Sequence, residues 1–205
     1  MSDDIPDTED FEARWPKEGD RLFMESEWAY DAHVVADPGE RFYRMPKGYK
    51  RAGDILIDQA ANDVVDRPNV IYAALFCYRQ SIELFLKRLI EEFGQGKEWR
   101  PKNTHELSIL WERFMWIINE RERSGSIGLS ESQRLVHEMD RADKKSDGFR
   151  FPTNFDGAPF VFGDRGIDLA NLREVMQGLQ NFFECAYLDF SHQDDMLSDY
   201  LVSLI

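Results

Sequence analysis

An arginine in the middle of the most apolar stretch is the residue best placed to do chemistry. Arg79 follows Leu75 by four residues and precedes Ile82 by three, so helical spacing puts its guanidinium on a core-facing stripe. An unpaired buried ion would cost several kcal/mol, so Arg79 needs an anionic partner. Glu83 lies one helical turn away. The spacing allows two interpretations: a buried ion pair that fixes the helix register, or a guanidinium that faces a site.

Other motifs that carry chemistry are missing from the sequence. No phosphate-binding Walker loop occurs, and Gly94-Gln95-Gly96 lacks the third glycine of a dinucleotide site. Neither the cysteine and histidine spacing of a zinc site nor the serine of a nucleophile elbow is found. We therefore expect no cofactor and no metal.

The elements that must position Arg79 and Glu83 are helices. Apolar residues recur at three- and four-residue steps, and strands do not alternate with helices. The four main predicted helices span about 48–65, 70–93, 103–120 and 168–190, with a shorter helix at 130–142 and a tail helix at 194–205. Pro68 separates the first two, and the pairs Asn103/Glu106 and Ser130/Gln133 have capping-box spacing. Helix 70–93 is apolar almost all round in its first half, so it should be the most buried.

The predicted fold is all-α, an antiparallel bundle of four main helices. Residues 41–47, which include Pro46, are predicted as a loop before the first helix. A small β-hairpin is predicted before the last helix. In that segment Phe149–Pro152 is extended, Asn154–Gly157 is turn-rich and Phe160–Phe162 can pair back.

The net charge of −14 is concentrated at the N-terminus. Residues 1–40 hold 13 acidic and 3 basic side chains, a net of −10, which leaves −4 for the other 165 residues. We predict an acidic arm and docking segment over 1–47 and a helical domain over 48–205. Phosphate binding depends on Lys and Arg, so nucleic acid could bind only at a local basic patch. The candidates are Arg41, Arg44, Lys47, Lys50 and Arg51, or the loop with Lys97, Arg100 and Lys102.

Nothing in the sequence predicts export or a membrane span. No apolar stretch reaches the roughly 18 to 20 residues that a membrane helix needs. The acidic N-terminus has no apolar signal core. Cys77 and Cys185 each lie in an apolar helical pattern and are predicted to be buried thiols. We expect a cytoplasmic location.

Several short motifs together resemble a branch of the HEPN superfamily over about residues 48–190. They are Gly48-Tyr49-Lys50-Arg51-Ala52, Tyr78–Leu84 with Leu86-Lys87, His105-Glu106-Leu107, Asp147 with Phe149–Pro152, and Asp168-Leu169 at the start of the last helix. HEPN domains are helical bundles that often dimerise. Many are metal-independent ribonucleases in toxin, phage-defence or RNA-processing systems, and others are inactive. The resemblance therefore implies a homodimer that acts on RNA.

The resemblance also implies site residues. Active HEPN domains share an Arg and a His a few residues apart, paired across a dimer cleft. Arg100 and His105 match this pattern, with Lys102 between them. His105 would be the general acid or base, and Arg100 would stabilise the charged phosphorane. The other interpretation of His105 is a residue in the first turn of a helix that packs near the bundle end.

Three further residues complete the candidates. Arg150 lies between two aromatic residues in an extended segment, so its side chain should project oppositely to theirs. It could reach the bundle end near His105 and act there as a catalytic residue in place of Arg100, or it could simply pair with Asp147. His137 is predicted on a half-exposed helix face and His192 in a loop beyond the final helix, and neither is expected to act directly.

Two functions stay open at this point. The first is a HEPN-type RNA-acting protein, a metal-independent endoribonuclease of a defence or toxin–antitoxin system. The alternative is a non-catalytic HEPN-like module that binds a partner protein or a nucleotide, which the acidic charge favours. A third interpretation is an acidic arm that covers the chain's own basic site. Convergence of Arg79, His105 and Arg150 in one open cleft would favour the enzyme, whereas side chains that point apart would count against it.

Overall fold

A computed structural model describes residues 15–23, 32, 34–94, 104–160, 162 and 166–204. The chain divides into two compact units, Met1–Val35 and Ala36–Ile205. In the first unit, residues 15–23 contain a turn in which the Lys17 amide donates to Asp20 Oδ2 at 2.9 Å. The second unit contains every helix and every candidate site residue that the structure describes.

The second unit is built from five α-helices, and the prediction of an all-α chain is confirmed. They are α1 (Pro38–Asn62), α2 (Arg67–Phe93), α3 (Leu107–Glu120), α4 (Leu129–Ala142) and α5 (Leu169–Ser203). None of the helices in the described residues has the length and apolarity to cross a membrane.

Helix α1 begins well before the predicted start at Gly48, so the prediction of a loop over 41–47 is wrong. Asp37 caps the helix by accepting the Glu40 amide at 2.8 Å, and Pro38 occupies the first turn, where its fixed φ suits a helix. Pro46 lies inside α1 although an interior proline typically costs about 3 kcal/mol. Its ring is buried and its carbonyl accepts the Ser81 hydroxyl at 2.8 Å, so packing against α2 offsets that cost.

Helix α2 is the most buried helix, as predicted, but its burial lies in the half that was not expected. The apolar first half is largely half-buried or exposed, with Tyr72 49% exposed. From Tyr78 to Phe93 most residues are buried, including the charged residues Arg79, Glu83 and Arg88. The reason is that α1 packs along both halves of α2, whereas α5 covers the second half, where Phe85 stacks on Phe183 and Phe93 contacts Phe190.

Helix α3 is capped by a tertiary contact, and helix α4 begins after a glycine. Asp140 on α4 accepts the amide of Leu107, the first residue of α3, at 2.7 Å. Asn103 lies outside the described residues. Gly128 precedes α4 with φ +77°, a conformation that favours glycine, so Ser130 lies inside the helix and the box predicted there is wrong.

The segment between α4 and α5 contains a turn in place of a hairpin. The described residues contain no strand, only one isolated antiparallel bridge between Thr153 and Pro159, so the predicted hairpin is not confirmed. Asn154 organises the turn by accepting the amides of Asp156 and Ala158 at 3.0 and 2.9 Å.

Helix α5 is one continuous helix of 35 residues, so the separate tail helix and the loop predicted around His192 are wrong. Asp168 caps it by accepting the Asn171 amide at 3.0 Å. Cys185 on this helix is exposed and Cys77 on α2 is half-buried, which corrects the prediction of two buried thiols. Both cysteines are free thiols.

Candidate functional site

Three ionisable residues on one face of α2 form the base of the candidate site. Arg79, Glu83 and Lys87 follow one another at four-residue steps, so they lie one above the other along the helix. The side chains of Arg79 and Glu83 are 0% and 1% exposed, and that of Lys87 is 19% exposed. Solvent exposure therefore increases along these three residues, from the buried guanidinium of Arg79 to the partly exposed amine of Lys87.

Arg79 and Glu83 form the predicted buried ion pair, with Arg79 Nη1 3.0 Å from Glu83 Oε2. The remaining Arg79 nitrogens bind backbone. Nε donates to the Asp143 carbonyl at 2.7 Å, and Nη2 donates to the His105 carbonyl at 2.6 Å and the Lys144 carbonyl at 3.3 Å. Arg79 thus fastens two loops to α2, and this favours the ion-pair interpretation over a guanidinium that faces a ligand.

Glu83 is surrounded by donors. Its Oε1 accepts from Lys87 Nζ at 2.7 Å and lies 2.8 Å from His105 Nδ1, while Oε2 faces Arg79. Burial alone would raise the pKa of Glu83, but hydrogen bonds and charge from Lys87 and His105 outweigh it and lower the pKa. Glu83 is therefore a carboxylate at neutral pH.

His105 joins this cluster from the segment that precedes α3, and its side chain is 56% exposed. A carboxylate can only accept, so Nδ1 must be the donor to Glu83. In the neutral ring, Nε2 then carries the lone pair. A buried carboxylate that orients an accessible imidazole is one arrangement that general acid–base catalysis uses.

The loop after α4 completes the surroundings. The Asp143 side chain is 0% exposed, and its Oδ2 lies 3.6 Å from Arg79 Nε. Its Oδ1 accepts the amides of Asp147 and Gly148 at 2.9 and 3.0 Å, which shapes the loop. Lys144 is 64% exposed and pairs with Glu106 at 3.3 Å, so it supplies an accessible cation beside the segment with His105.

Arg150 does not join the cluster. Its Nε donates to the Ser146 carbonyl, and its guanidinium lies 5.7 Å from the Phe76 ring and 5.3 Å from the Phe151 ring. Within the described residues it has no ion pair with Asp147 and no hydrogen bond with His105, so neither predicted partner is found and the expected convergence of Arg150 with Arg79 and His105 is wrong.

The basic run in α1 is largely neutralised. Arg44 pairs with Glu40, Lys47 with Glu184 at 3.5 Å, and the buried Lys50 with Asp54 at 2.8 Å. Only Arg41 and Arg51 of that run are exposed without an ion pair to a described residue. The run is therefore a weak candidate for phosphate binding.

Two predicted residues, Arg100 and Lys102, lie outside the described residues, so their roles stay predictions. His137 lies half-buried on α4, as predicted, and His192 is exposed on α5. Lys87 was missed although its four-residue spacing from Glu83 signals the contact. The contacts of Asp143 and Lys144 with Arg79 on α2 could not be predicted from the sequence, because these residues lie 64 and 65 positions apart from Arg79 and come together only in the folded chain.

The chain matches no protein-family model, no curated protein and no solved structure. The chemistry that the chain can perform therefore follows only from the geometry of the cluster around Glu83. In the described part of the chain, no group of three His, Cys, Asp or Glu side chains is arranged to hold a metal ion. The cluster contains an oriented imidazole (His105), a buried carboxylate (Glu83) and two lysines at its edge (Lys87 and Lys144).

Proposed function

We propose that the chain is a HEPN-type domain, with the antiparallel bundle of that superfamily, that acts on RNA and cleaves it without a metal. The observation that carries the proposal is the contact between Glu83 Oε1 and the exposed His105 ring, 2.8 Å at Nδ1. This contact fixes the tautomer and orientation of an imidazole that a ligand can reach. A histidine that only packs at a helix end would need no ionised, buried partner.

In this proposal His105 Nε2 accepts the proton of a ribose 2′-hydroxyl, and the 2′-oxygen attacks the adjacent phosphorus. The bond to the 5′-oxygen breaks, and that oxygen leaves with a proton from the imidazolium or from water. Arg79 acts as a positioning residue, because all its contacts are with the protein. Exposed cations must then stabilise the negative charge of the phosphorane. We propose Lys144 for this role and, from the sequence resemblance, Arg100 and Lys102.

The second candidate function is a non-catalytic module that binds a partner protein or a nucleotide. The observations that favour it are the net charge of −14 and the exposed apolar residues at the end of α5. In that case the cluster around Glu83 only holds the loops before α3 and after α4. The membership in a defence or toxin–antitoxin system and the symmetric homodimer are proposals that belong to both candidates.

An RNA-cleavage assay with EDTA present separates the two candidates. We expect the full chain to cut RNA, and His105→Ala to lose about 100- to 10,000-fold in rate, the usual contribution of a general acid or base. His192→Ala is the matched control, since His192 is an exposed histidine on α5 and should cut at the parent rate. Thermal melts of both variants should stay close to that of the parent.

Intact RNA after exposure to the purified protein across diverse sequences would refute the enzyme and favour the binding module. Equal rates for His105→Ala and the parent would refute the role of His105 even if RNA is cut. Neither outcome would alter the helical fold.

A further inference from the structure

A hollow of about 940 Å³ lies between α5 and the first half of α4, and the turn that joins α3 to α4 forms part of its wall. We call this hollow the acidic groove. One face of α5 lines it from Val175 to Phe190, a wall of about 24 Å at 1.5 Å per residue. Arg79, Glu83 and His105 do not line it, so the acidic groove is separate from the candidate site.

The floor of the acidic groove is apolar. Leu179 and Phe190 are buried beneath it, and Leu135 and Phe182 are half-buried in its walls. Ile127, in the turn that joins α3 to α4, also lines the groove and is 98% exposed. Grooves that receive an amphipathic helix have a floor of this kind, which holds apolar side chains spaced three or four residues apart. A helix of about four turns laid beside α5 would match the length of the wall.

Small residues keep the α5 wall low. Gly178 lies in the interior of α5, where glycine disfavours a helix relative to alanine. A Cβ added to Gly178 would meet no atom within 4 Å, so nothing in the described residues requires glycine there. Cys185, two turns further along the same face, is exposed. The backbone of a second helix could therefore approach this wall closely.

The rim of the acidic groove holds an excess of negative charge. Glu122, Glu131 and Asp189 line it, and Arg123 is the only cation among the lining residues. Arg123 is already bound to Asp189, with Nε 2.7 Å from Oδ2 and Nη2 3.1 Å from Oδ1. Glu122 and Glu131 have no ion pair with a described residue. Cations on an occupant could therefore pair with these two carboxylates.

The backbone of Glu122 is an independent sign that its carboxylate has a use. Helix α3 ends in a Schellman motif, in which the Arg123 amide donates to the Ile118 carbonyl at 2.8 Å. Glu122 occupies the position of this motif that glycine usually takes, with φ +56°. Within the described residues its carboxylate makes no hydrogen bond, so the fold gains nothing from glutamate there.

We propose that the acidic groove binds an amphipathic α-helix of a partner protein, with apolar side chains on the floor and lysine or arginine beside Glu122 and Glu131. Burial of the apolar face supplies the affinity. The rim charges select a basic partner and speed its approach.

Charge disfavours the other occupants of the acidic groove. The rim repels the phosphates of a nucleic acid. A second copy of this chain has exposed apolar side chains at the end of α5, but Asp194, Asp195 and Asp199 lie among them, so acid would meet acid. A basic helix is the occupant whose charge complements the rim.

This inference rests on the second proposed function, the binding of a partner, and not on RNA cleavage. Helix binding can be measured with His105→Ala protein, because His105 does not line the groove. A helix that binds elsewhere on the chain would refute the groove but not partner binding. Failure of the inference is therefore distinguishable from failure of either proposed function.

A displayed library of helices of about 16 residues, the length of the wall, tests the charge of the partner. Every helix has leucine at steps of three and four, and its flanking positions carry Lys, Glu or Gln in equal proportion. We expect the full chain to enrich helices with lysine at the flanks. The most enriched helix, made as a labelled peptide, should bind less tightly as salt is added.

Fluorescence anisotropy of this peptide with three variants tests the position. Gly178→Trp fills the groove and should raise the Kd by about 30-fold or more, the loss typical of a central interface residue. Glu122→Gly should raise the Kd by about 2- to 5-fold, the effect of one exposed ion pair. The same variant should raise the Tm by about 2–4 °C, because glycine suits the left-handed position. Glu112→Gln is the matched control, since Glu112 is exposed on α3 outside the groove and its loss should leave the Kd unchanged.

Protection of Cys185 measures the position without any substitution. Bound peptide should slow the alkylation of Cys185 by a maleimide in proportion to the fraction bound. Cys77 is the internal control, because it lies half-buried on α2 outside the groove and should react at an unchanged rate.

Several outcomes would overturn the proposal. One is a library in which no helix is enriched, or in which glutamate or glutamine is enriched at the flanks. Another is a peptide that binds Gly178→Trp as tightly as the parent and leaves Cys185 unprotected, since it would bind elsewhere. A third is Cys185 that is protected in the chain alone and becomes reactive on dilution, because a second copy would then fill the groove.

Discussion

Glu83 is the residue on which the candidate site depends. It is a buried carboxylate that meets three nitrogen donors, those of Arg79, Lys87 and His105. Burial of a charge is tolerated only when hydrogen bonds and opposite charges replace water. Removal of the carboxylate would leave Arg79 buried without its ion pair on α2 and His105 without its orienting acceptor. We therefore expect Glu83 to affect both the stability of the fold and the proposed activity.

We expect Glu83→Ala to lower the free energy of unfolding by about 3–5 kcal/mol at neutral pH, because it leaves the buried guanidinium of Arg79 with only the more distant carboxylate of Asp143, 3.6 Å from Nε. The loss should shrink as the pH falls. The folded pKa of Glu83 is lowered from its ordinary 4.5, so its stabilisation is complete above about pH 4.5 and is lost as the pH falls through the folded pKa. Denaturant titrations from about pH 7 to about pH 3 measure both effects.

Glu138→Ala is the control for Glu83→Ala. Glu138 also pairs with an arginine one turn away on its helix, but both side chains are more than 60% exposed. Such surface pairs contribute about 0–1 kcal/mol. An unfolding free energy that is the same for Glu83→Ala and the parent would contradict the importance of the buried pair.

At the scale of elements, α1 and α2 pack closely against each other. Gly53 on α1 faces the ring of Tyr78 on α2, and a Cβ added to Gly53 would come within 2.5 Å of that ring. The Tyr78 hydroxyl donates to Asp54 Oδ1 at 2.9 Å, which ties the ring to α1. Burial, followed by this hydrogen bond, raises the pKa of Tyr78 far above its usual range. The ring therefore has little freedom to move aside.

Two glycines of α1 allow a matched test of this packing. Gly53→Ala should lower the free energy of unfolding by about 1–3 kcal/mol, the usual cost of overpacking, although alanine favours a helix. Gly48→Ala should raise it by about 0.5–1 kcal/mol, because a Cβ at Gly48 meets no atom within 4 Å. Thermal or denaturant unfolding measures both. Equal changes in the two variants would show that α1 and α2 are not packed this closely.

At the scale of the whole molecule, charge opposes the proposed RNA binding. Residues 1–22 carry 8 acidic and 3 basic side chains, a net of −5, out of a total of −14. A negative field repels phosphate over roughly a Debye length, about 10 Å at 0.1 M salt. The acidic arm should therefore weaken RNA binding wherever the two come within that range.

Deletion of residues 1–22 should tighten RNA binding by about 2- to 10-fold at low ionic strength, because it removes part of the opposing charge. The gain should shrink as salt is added, since salt screens exposed charges. Fluorescence anisotropy with labelled RNA measures both. A control chain in which the eight acids of this segment become amides should bind RNA at least as tightly as the deletion, because its net charge changes by +8 and not by +5. An affinity that falls on deletion would mean that the arm itself holds RNA.

Local patterns in the sequence were sufficient for much of the architecture. Helical periodicity predicted helices in all five places, and the four-residue step predicted the ion pair of Arg79 with Glu83. Both follow from forces that act within one or two turns of the chain. The local pattern gave a wrong prediction where packing outweighs helix propensity. Pro46 predicted a loop, but it lies within α1 and its ring is buried.

Only the tertiary structure decided how the site is assembled. Glu83 meets His105 across 22 residues of sequence, and Arg79 reaches the Asp143 carbonyl across 64. No periodicity or spacing encodes such pairs, because each depends on where two loops are held by the packing of whole helices. The same holds for burial along α2, which follows the helices that cover it and not its own hydropathy. The sequence by itself determined the helices and the ion pair of Arg79 with Glu83. The tertiary structure then brought His105 and the loop with Asp143 to that pair and so formed the candidate site.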